Sequence, residues 1–142
     1  MNGATPSPQF VMDCSMTMTW FFKDEATEHT DALLDRLRRE EAVVPSLWPL
    51  ALGNVMLIGE RRGRVTQADM ADFTVLLRGL PLVIDEEAPR RAWDQILTLA
   101  RQHRLSVYDA AYLELALRRG LPLATLDTDL QAAARSLGVV LL

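Results

Sequence analysis

Cysteine is almost missing from this chain: Cys14 is the only one. That excludes an internal disulfide framework and a cysteine-built zinc site. Beside Asp13, in an apolar context, it reads as a small buried residue. Histidine is nearly as scarce, and His29 and His103 lie too far apart in sequence to make a ligand-spaced pattern. No apolar run reaches the ~18 residues that a membrane-spanning helix needs, so no membrane partner is expected. Residues 1–9 carry Pro and Ser but no basic segment followed by an apolar core. They read as a flexible tail and not as a signal peptide, so a cytoplasmic location is expected. Positive charge is in the minority as well. A net charge of −4 argues against a protein that coats nucleic acid generally. It leaves room for a nuclease, because an acidic metal site lowers net charge while local arginines hold phosphates. Arg36, Arg38 and Arg39 form one candidate cluster, and Arg61, Arg62 and Arg64 another. Solvated helix ends are the plainer account of both.

What is present suits one globular domain. The 142 residues are 49% apolar and 24% charged, enough for a real hydrophobic core. Short apolar runs alternate with amphipathic stretches, which predicts an α/β fold with a mainly parallel sheet. Strands are expected at Phe10 to Asp13, Val43 to Pro45, Leu80 to Ile84 and Pro122 to Leu126, with an edge strand at Val139 to Leu142. Helices are expected through Met16 to Phe22, Glu25 to Glu40, Leu50 to Gly63, Thr66 to Arg78, Pro89 to His103, Asp109 to Arg119 and Asp129 to Leu137. Thr66 with Asp69 three positions on has the pattern of a capping box. The Asp109 helix is apolar nearly all round, so it should be central, and Gly120 is placed to stop it. No internal repeat or low-complexity segment appears.

Three aspartates share a context. Asp13 and Asp127 each end a short apolar run, and Asp109 opens the central helix. If those runs are parallel strands, their carboxyl ends lie on one sheet edge, where open α/β folds place their sites. Carboxylates converging there repel one another, and a hard divalent cation is the usual remedy. Each also has a structural reading. Asp13, or Ser15 near it, is a good N-cap; Ser106 and Asp109 have capping-box spacing; Asp127 or Asp129 can cap the last helix. The two readings are compatible.

The segments Val11 to Ser15, Val44 to Leu50, Leu105 to Tyr112 and Leu123 to Asp127 together resemble PIN-domain proteins, and more narrowly the VapC toxins of bacterial toxin–antitoxin pairs. The resemblance runs from Phe10 to Leu142 in the family's order. It implies a three-layer α/β/α PIN-like fold over residues 10–142. It also implies a Mg²⁺- or Mn²⁺-dependent endoribonuclease acting on RNA, inhibited by a small cognate antitoxin and usually homodimeric. Matched by position, Asp13, Asp109 and Asp127 are the catalytic, metal-holding carboxylates, with Asp129 an auxiliary ligand. Ser15, Asn54 and Thr125 are supporting residues. Trp20, Phe21 and Phe22 are candidates for an antitoxin groove, against ordinary core packing. The other clustered-aspartate α/β fold, a phospho-accepting receiver domain, needs a late lysine, and Lys23 is the only lysine.

One position departs from the family. After Trp48-Pro49-Leu50 the family has a site glutamate, and here position 51 is alanine while Trp48, Pro49 and Asn54 keep register. The next acid along that helix is Glu60, roughly 13 Å away at 1.5 Å per residue. Weak or absent ribonuclease activity is therefore expected. The alternative is a non-catalytic PIN-fold protein that acts by binding antitoxin or RNA.

Overall fold

A computed structural model describes residues 8–142. Most of the tail expected over residues 1–9 lies outside the described residues, and Gln9 already belongs to a strand. Four strands, β1 (Gln9–Met12), β2 (Glu41–Pro45), β3 (Leu82–Asp85) and β4 (Leu123–Ala124), form an all-parallel sheet in the order β3-β2-β1-β4. Parallel neighbours need crossover connections, and here helices supply them. Being covered on both faces, β1 reads as a continuous apolar run, with Phe10, Val11 and Met12 fully buried. The expected α/β fold, with helices flanking a parallel sheet, is what forms.

The helices are α1 (Cys14–Met18), α2 (Glu28–Arg36), α3 (Trp48–Arg61), α4 (Gln67–Gly79), α5 (Ala88–Arg91), α6 (Leu97–His103), α7 (Val107–Arg119) and α8 (Thr128–Ser136). A π-helical turn, Ala92–Ile96, joins α5 to α6. Several expected bounds shift for local reasons. The helix expected through Phe22 stops at Met18, and a short 3₁₀ turn, Lys23–Glu25, follows. Reciprocal Thr27–Thr30 capping starts α2 at Glu28, later than the expected Glu25. The expected edge strand at Val139 to Leu142 is reduced to one bridge between Leu123 and Leu141. The Thr66–Asp69 capping box forms as expected.

Helix α7 packs across β1, β2 and β4, and Ala110 to Ala116 are all buried. It ends at Gly120 in the left-handed region (φ 64°), which glycine enters without penalty. Helix α6 ends at Arg104, also left-handed (φ 55°). There a side chain costs about 1–2 kcal/mol. Gly59 is closely packed: a Cβ there would come within 2.9 Å of the Phe22 ring, which would have to shift. Among the described residues no helix is long and apolar enough to cross a membrane.

Candidate active site at the carboxyl edge of the sheet

β1 delivers Asp13 at its carboxyl end, where the Asp13 N–H donates to Ala124 O of β4 at 3.3 Å. The side chain is 4% exposed and closely held. Its Oδ1 accepts from Ser15 Oγ at 2.7 Å and from the Met16 N–H at 3.1 Å. Its Oδ2 accepts from Thr125 Oγ1 at 2.5 Å. Both hydroxyls are aimed by the loop after β4: the Leu126 N–H donates to Ser15 Oγ and the Asp127 N–H to Thr125 Oγ1. One loop thus fixes the orientation of a carboxylate 112 residues away in sequence. This is how an outer layer of hydrogen bonds positions a ligand side chain. Ser15 and Thr125 thus both hold the Asp13 carboxylate.

Burial pushes the Asp13 carboxyl above its ordinary range, its hydrogen bonds oppose this, and the charge of Asp109 adds to it. Asp109, half-buried on the first turn of α7, is also raised, by burial first and then by the charges of Asp127 and Asp129. The four aspartates therefore share one electrostatic neighbourhood. Asp127 caps α8, accepting from the Leu130 N–H at 2.9 Å, and Asp129 is exposed on the first turn of the same helix. The capping role is thus present at Asp13 and Asp127. Ser106 caps α7 by accepting from the Asp109 N–H at 3.0 Å. That leaves the Asp109 carboxylate free of backbone duty.

The donor set is all oxygen, which suits a hard cation such as Mg²⁺. As placed, however, no three His, Cys, Asp or Glu side chains among the described residues stand close enough to share one ion. Ala51 lies on the first turn of α3, which packs beside α1; Cys14 Sγ approaches Trp48 O at 4.0 Å. Asn54, expected to brace the site, is exposed, and its side chain makes no hydrogen bond among the described residues. Beneath the acids, Cys14 Sγ lies 3.6 Å from the Tyr112 hydroxyl, and burial pushes the thiol up to about 11. Tyr112, one turn on from Asp109, escaped the sequence reading, although its spacing was a usable signal.

A second acidic group on the same sheet edge was also missed. Asp85 ends β3 and is 3% exposed. It accepts from Arg118 Nη1 and Nη2 at 2.9 Å each and from Arg119 Nε at 3.0 Å. Buried Glu114 accepts from Arg118 Nε at 2.9 Å, with Arg91 nearby at 3.7 Å. The Arg118 guanidinium is the main reason the Asp85 carboxyl falls to about 2.

The two expected phosphate-holding clusters are largely spoken for. Arg36 pairs with Glu40, and Arg38 and Arg39 pair with Asp35. Arg64 pairs with Asp24 and Glu25 and lies 3.7 Å over the Phe22 ring. Arg61 and Arg62 remain exposed and unpaired among the described residues. Phe21 and Phe22 belong to the core, with Phe21 stacked on Phe73 at 4.7 Å. With Trp20, Arg64 and Leu76 they also line a surface cavity of about 490 Å³.

A family model described as the PIN domain matches residues 11–136. Among solved structures, the crystal structure of PAE2754 from Pyrobaculum aerophilum is similar, with a TM-score of 0.67 over 90% of this chain and 87% of that one. The two share 23% sequence identity, so that likeness shows the fold alone. No curated protein matches the chain.

Proposed function

The chain belongs to the PIN-domain family, and from that premise we propose that it is a Mg²⁺- or Mn²⁺-dependent endoribonuclease of the VapC toxin type, weakened by Ala51. PIN domains are generally nucleases and typically use divalent metals. The observation that carries the reading is that Asp13, Asp109, Asp127 and Asp129 lie near enough to feel one another's charge in turn (Asp13 with Asp109, Asp109 with Asp127 and Asp129) and have no basic partner among the described residues. Burial and mutual repulsion raise the first two of these carboxyls. Negative charge crowded at a sheet edge with no internal cation is what an external divalent ion relieves.

Asp13, Asp109 and Asp127 would hold the ion directly or through water, with Asp129 as alternate or auxiliary ligand. When bound, the ion supplies Lewis acidity toward the phosphate and lowers the pKa of the attacking water. Ser15 and Thr125 keep Asp13 in one rotamer, so the site does not have to order itself as substrate arrives. Ala51 leaves the α3 side of the site without a carboxylate. The partners that fit are an RNA strand, a second copy of the chain and a small antitoxin seated in the cavity of Trp20, Phe21 and Phe22. A cytoplasmic setting goes with that role.

Ala51 also motivates a second reading, a PIN-fold protein that binds antitoxin or RNA without cutting. Cleavage of a mixed RNA pool with Mg²⁺ or Mn²⁺ separates the two. The expected result is slow cutting by the parent, cutting faster by ~10²-fold or more in Ala51→Glu, and none in Ala51→Glu/Asp109→Asn. A parent that cuts fully through Asp109 refutes the impairment. Three inactive proteins refute the nuclease and leave the binding reading.

A further inference from the structure

We propose that residues 139–142, the outer edge of the sheet beside β4, dock a second copy of this chain, the two edges pairing antiparallel about a two-fold axis. This names the face that holds the second copy proposed above. It does not depend on the nuclease reading, because none of the four aspartates takes part in it.

The sheet ends differently on its two sides. On one side β3 is guarded: Pro81 precedes it and offers no N–H, and Glu86 and Glu87 follow it. Proline and charge are how natural proteins keep an open edge from pairing with another chain. On the other side, residues 136–142 read Ser-Leu-Gly-Val-Val-Leu-Leu, with neither proline nor charge. Val139 and Val140 are β-branched and favour an extended chain. Yet the pairing with β4 amounts to one bridge. The Leu123 N–H donates to Val140 O at 2.8 Å, and the Leu142 N–H donates to Leu123 O at 3.0 Å. Since both neighbours of Leu141 bond inward, its own N–H and C=O face away from the sheet. Neither has a hydrogen bond among the described residues. Val140 beside it is 63% exposed.

The side chains around this edge are apolar as well. Leu117 and Leu137 are exposed. With Leu121, Pro122 and Val140 they line a cavity of about 340 Å³ between the end of α7 and the turn after α8. No charged or hydrogen-bonding side chain lines it, and Gly120 and Gly138 contribute no side chain to it. The room left suits an apolar side chain.

The occupant that fits is the same surface on another molecule. In a two-fold contact a patch meets itself, so a charged edge sets like charge against like. The chain as a whole carries a net charge of −4 and repels its copies. This edge carries none, so a copy meets it without that penalty. When Leu141 pairs with its own counterpart, the two residues exchange both N–H···O bonds, and the outward groups of each find partners. An apolar side chain from each copy enters the other's cavity. A strand that holds its own sheet by a single bridge is then held from both sides.

Sedimentation velocity across a micromolar dilution series tests this with the parent, Val140→Lys and Val140→Thr. The parent should pass from dimer to monomer on dilution. Val140→Lys sets like charges beside the axis, and its dimer should dissociate at concentrations higher by roughly tenfold or more. Val140→Thr keeps a β-branched, uncharged edge and should stay within a few-fold of the parent. Position 140 is exposed, so as monomers both variants should melt with the parent. Amide exchange reads the pairing itself. The Leu141 N–H should exchange slowly in concentrated parent and fast in dilute, while the Leu142 N–H, already bonded to Leu123, changes less. A dimer as tight in Val140→Lys as in the parent, or a Leu141 amide that exchanges freely in the dimer, overturns this edge as the docking face. A parent that stays monomeric throughout overturns both this inference and the second-copy partner above. Neither result touches the nuclease reading, which RNA cleavage tests.

Discussion

Asp13 and Asp85 both stand at the carboxyl ends of parallel strands, with β2 between them, yet their surroundings are opposite in sign. Asp85 is met by Arg118 and Arg119, and its carboxyl falls to about 2. Asp13 is met by hydroxyls, a backbone N–H and the negative charge of Asp109, and its carboxyl rises. Both are almost wholly buried. Burial alone therefore does not separate an acid paired within the chain from one left without a countercharge. What separates them is whether the chain supplies the countercharge: α7 brings arginines to Asp85 from its last turn and another aspartate toward Asp13 from its first.

The contrast predicts opposite responses to neutralisation. Asp85→Asn should lower unfolding free energy by about 3 kcal/mol, because it removes the buried carboxylate that holds the half-buried Arg118 and the more exposed Arg119. Urea titration at neutral pH measures this directly. The sign with pH follows from the depressed carboxyl. Above its ordinary value of 3.8 the ion pairs contribute fully, and that contribution is lost as pH falls toward about 2. The parent should lose stability through that window, and Asp85→Asn should lose less of it. A variant as stable as the parent at neutral pH would mean that the network holds nothing together.

On the other side, Thr125→Val keeps the shape of the side chain and removes the hydroxyl that donates to Asp13 and accepts from the Asp127 N–H. A buried carboxylate oxygen and a part-buried N–H then lose a partner, and a loss of about 2 kcal/mol is expected. Cleavage by the Ala51→Glu protein should fall as well, because Asp13 is freed to turn. Loss of stability with undiminished cleavage would show Thr125 to be a packing residue only.

How much of this was readable beforehand depends on distance along the chain. The Thr66–Asp69 capping box and the Gly120 stop were legible because their partners lie within one helical turn. The parallel sheet was legible because strands buried on both faces leave continuous apolar runs. Asp13 and Asp109 were legible from their places at a strand end and a helix start, whereas Ser15 and Thr125 came as supporting residues only through the family resemblance; nothing in spacing alone ties Thr125 to a residue 112 positions earlier. The Asp85 network was opaque for the same reason, since its arginines lie 33 and 34 residues on. Arg64 was misjudged because its ring and acids, Phe22, Asp24 and Glu25, come from another part of the sequence. Charge counted along a chain does not show which charges are already paired.

The smallest expected effect tests the contrast most sharply. Asp109 receives no arginine, its backbone N–H is served by Ser106, and its nearest charged neighbours are acidic. Asp109→Asn keeps the side chain's size and the cap while removing one charge from a like-charged group. Without metal, its unfolding free energy should match the parent's or exceed it, by up to about 1 kcal/mol. With millimolar Mg²⁺ the order should narrow or reverse, because an ion that binds only the folded protein stabilises the parent and finds a poorer site in the variant. Parallel melting curves with EDTA and with Mg²⁺ measure both. If Asp109→Asn instead loses stability as Asp85→Asn does, with and without the ion, the two acidic groups are alike in kind. The carboxyl edge of the sheet would then be held together by its aspartates on both sides, with none left to recruit a cation.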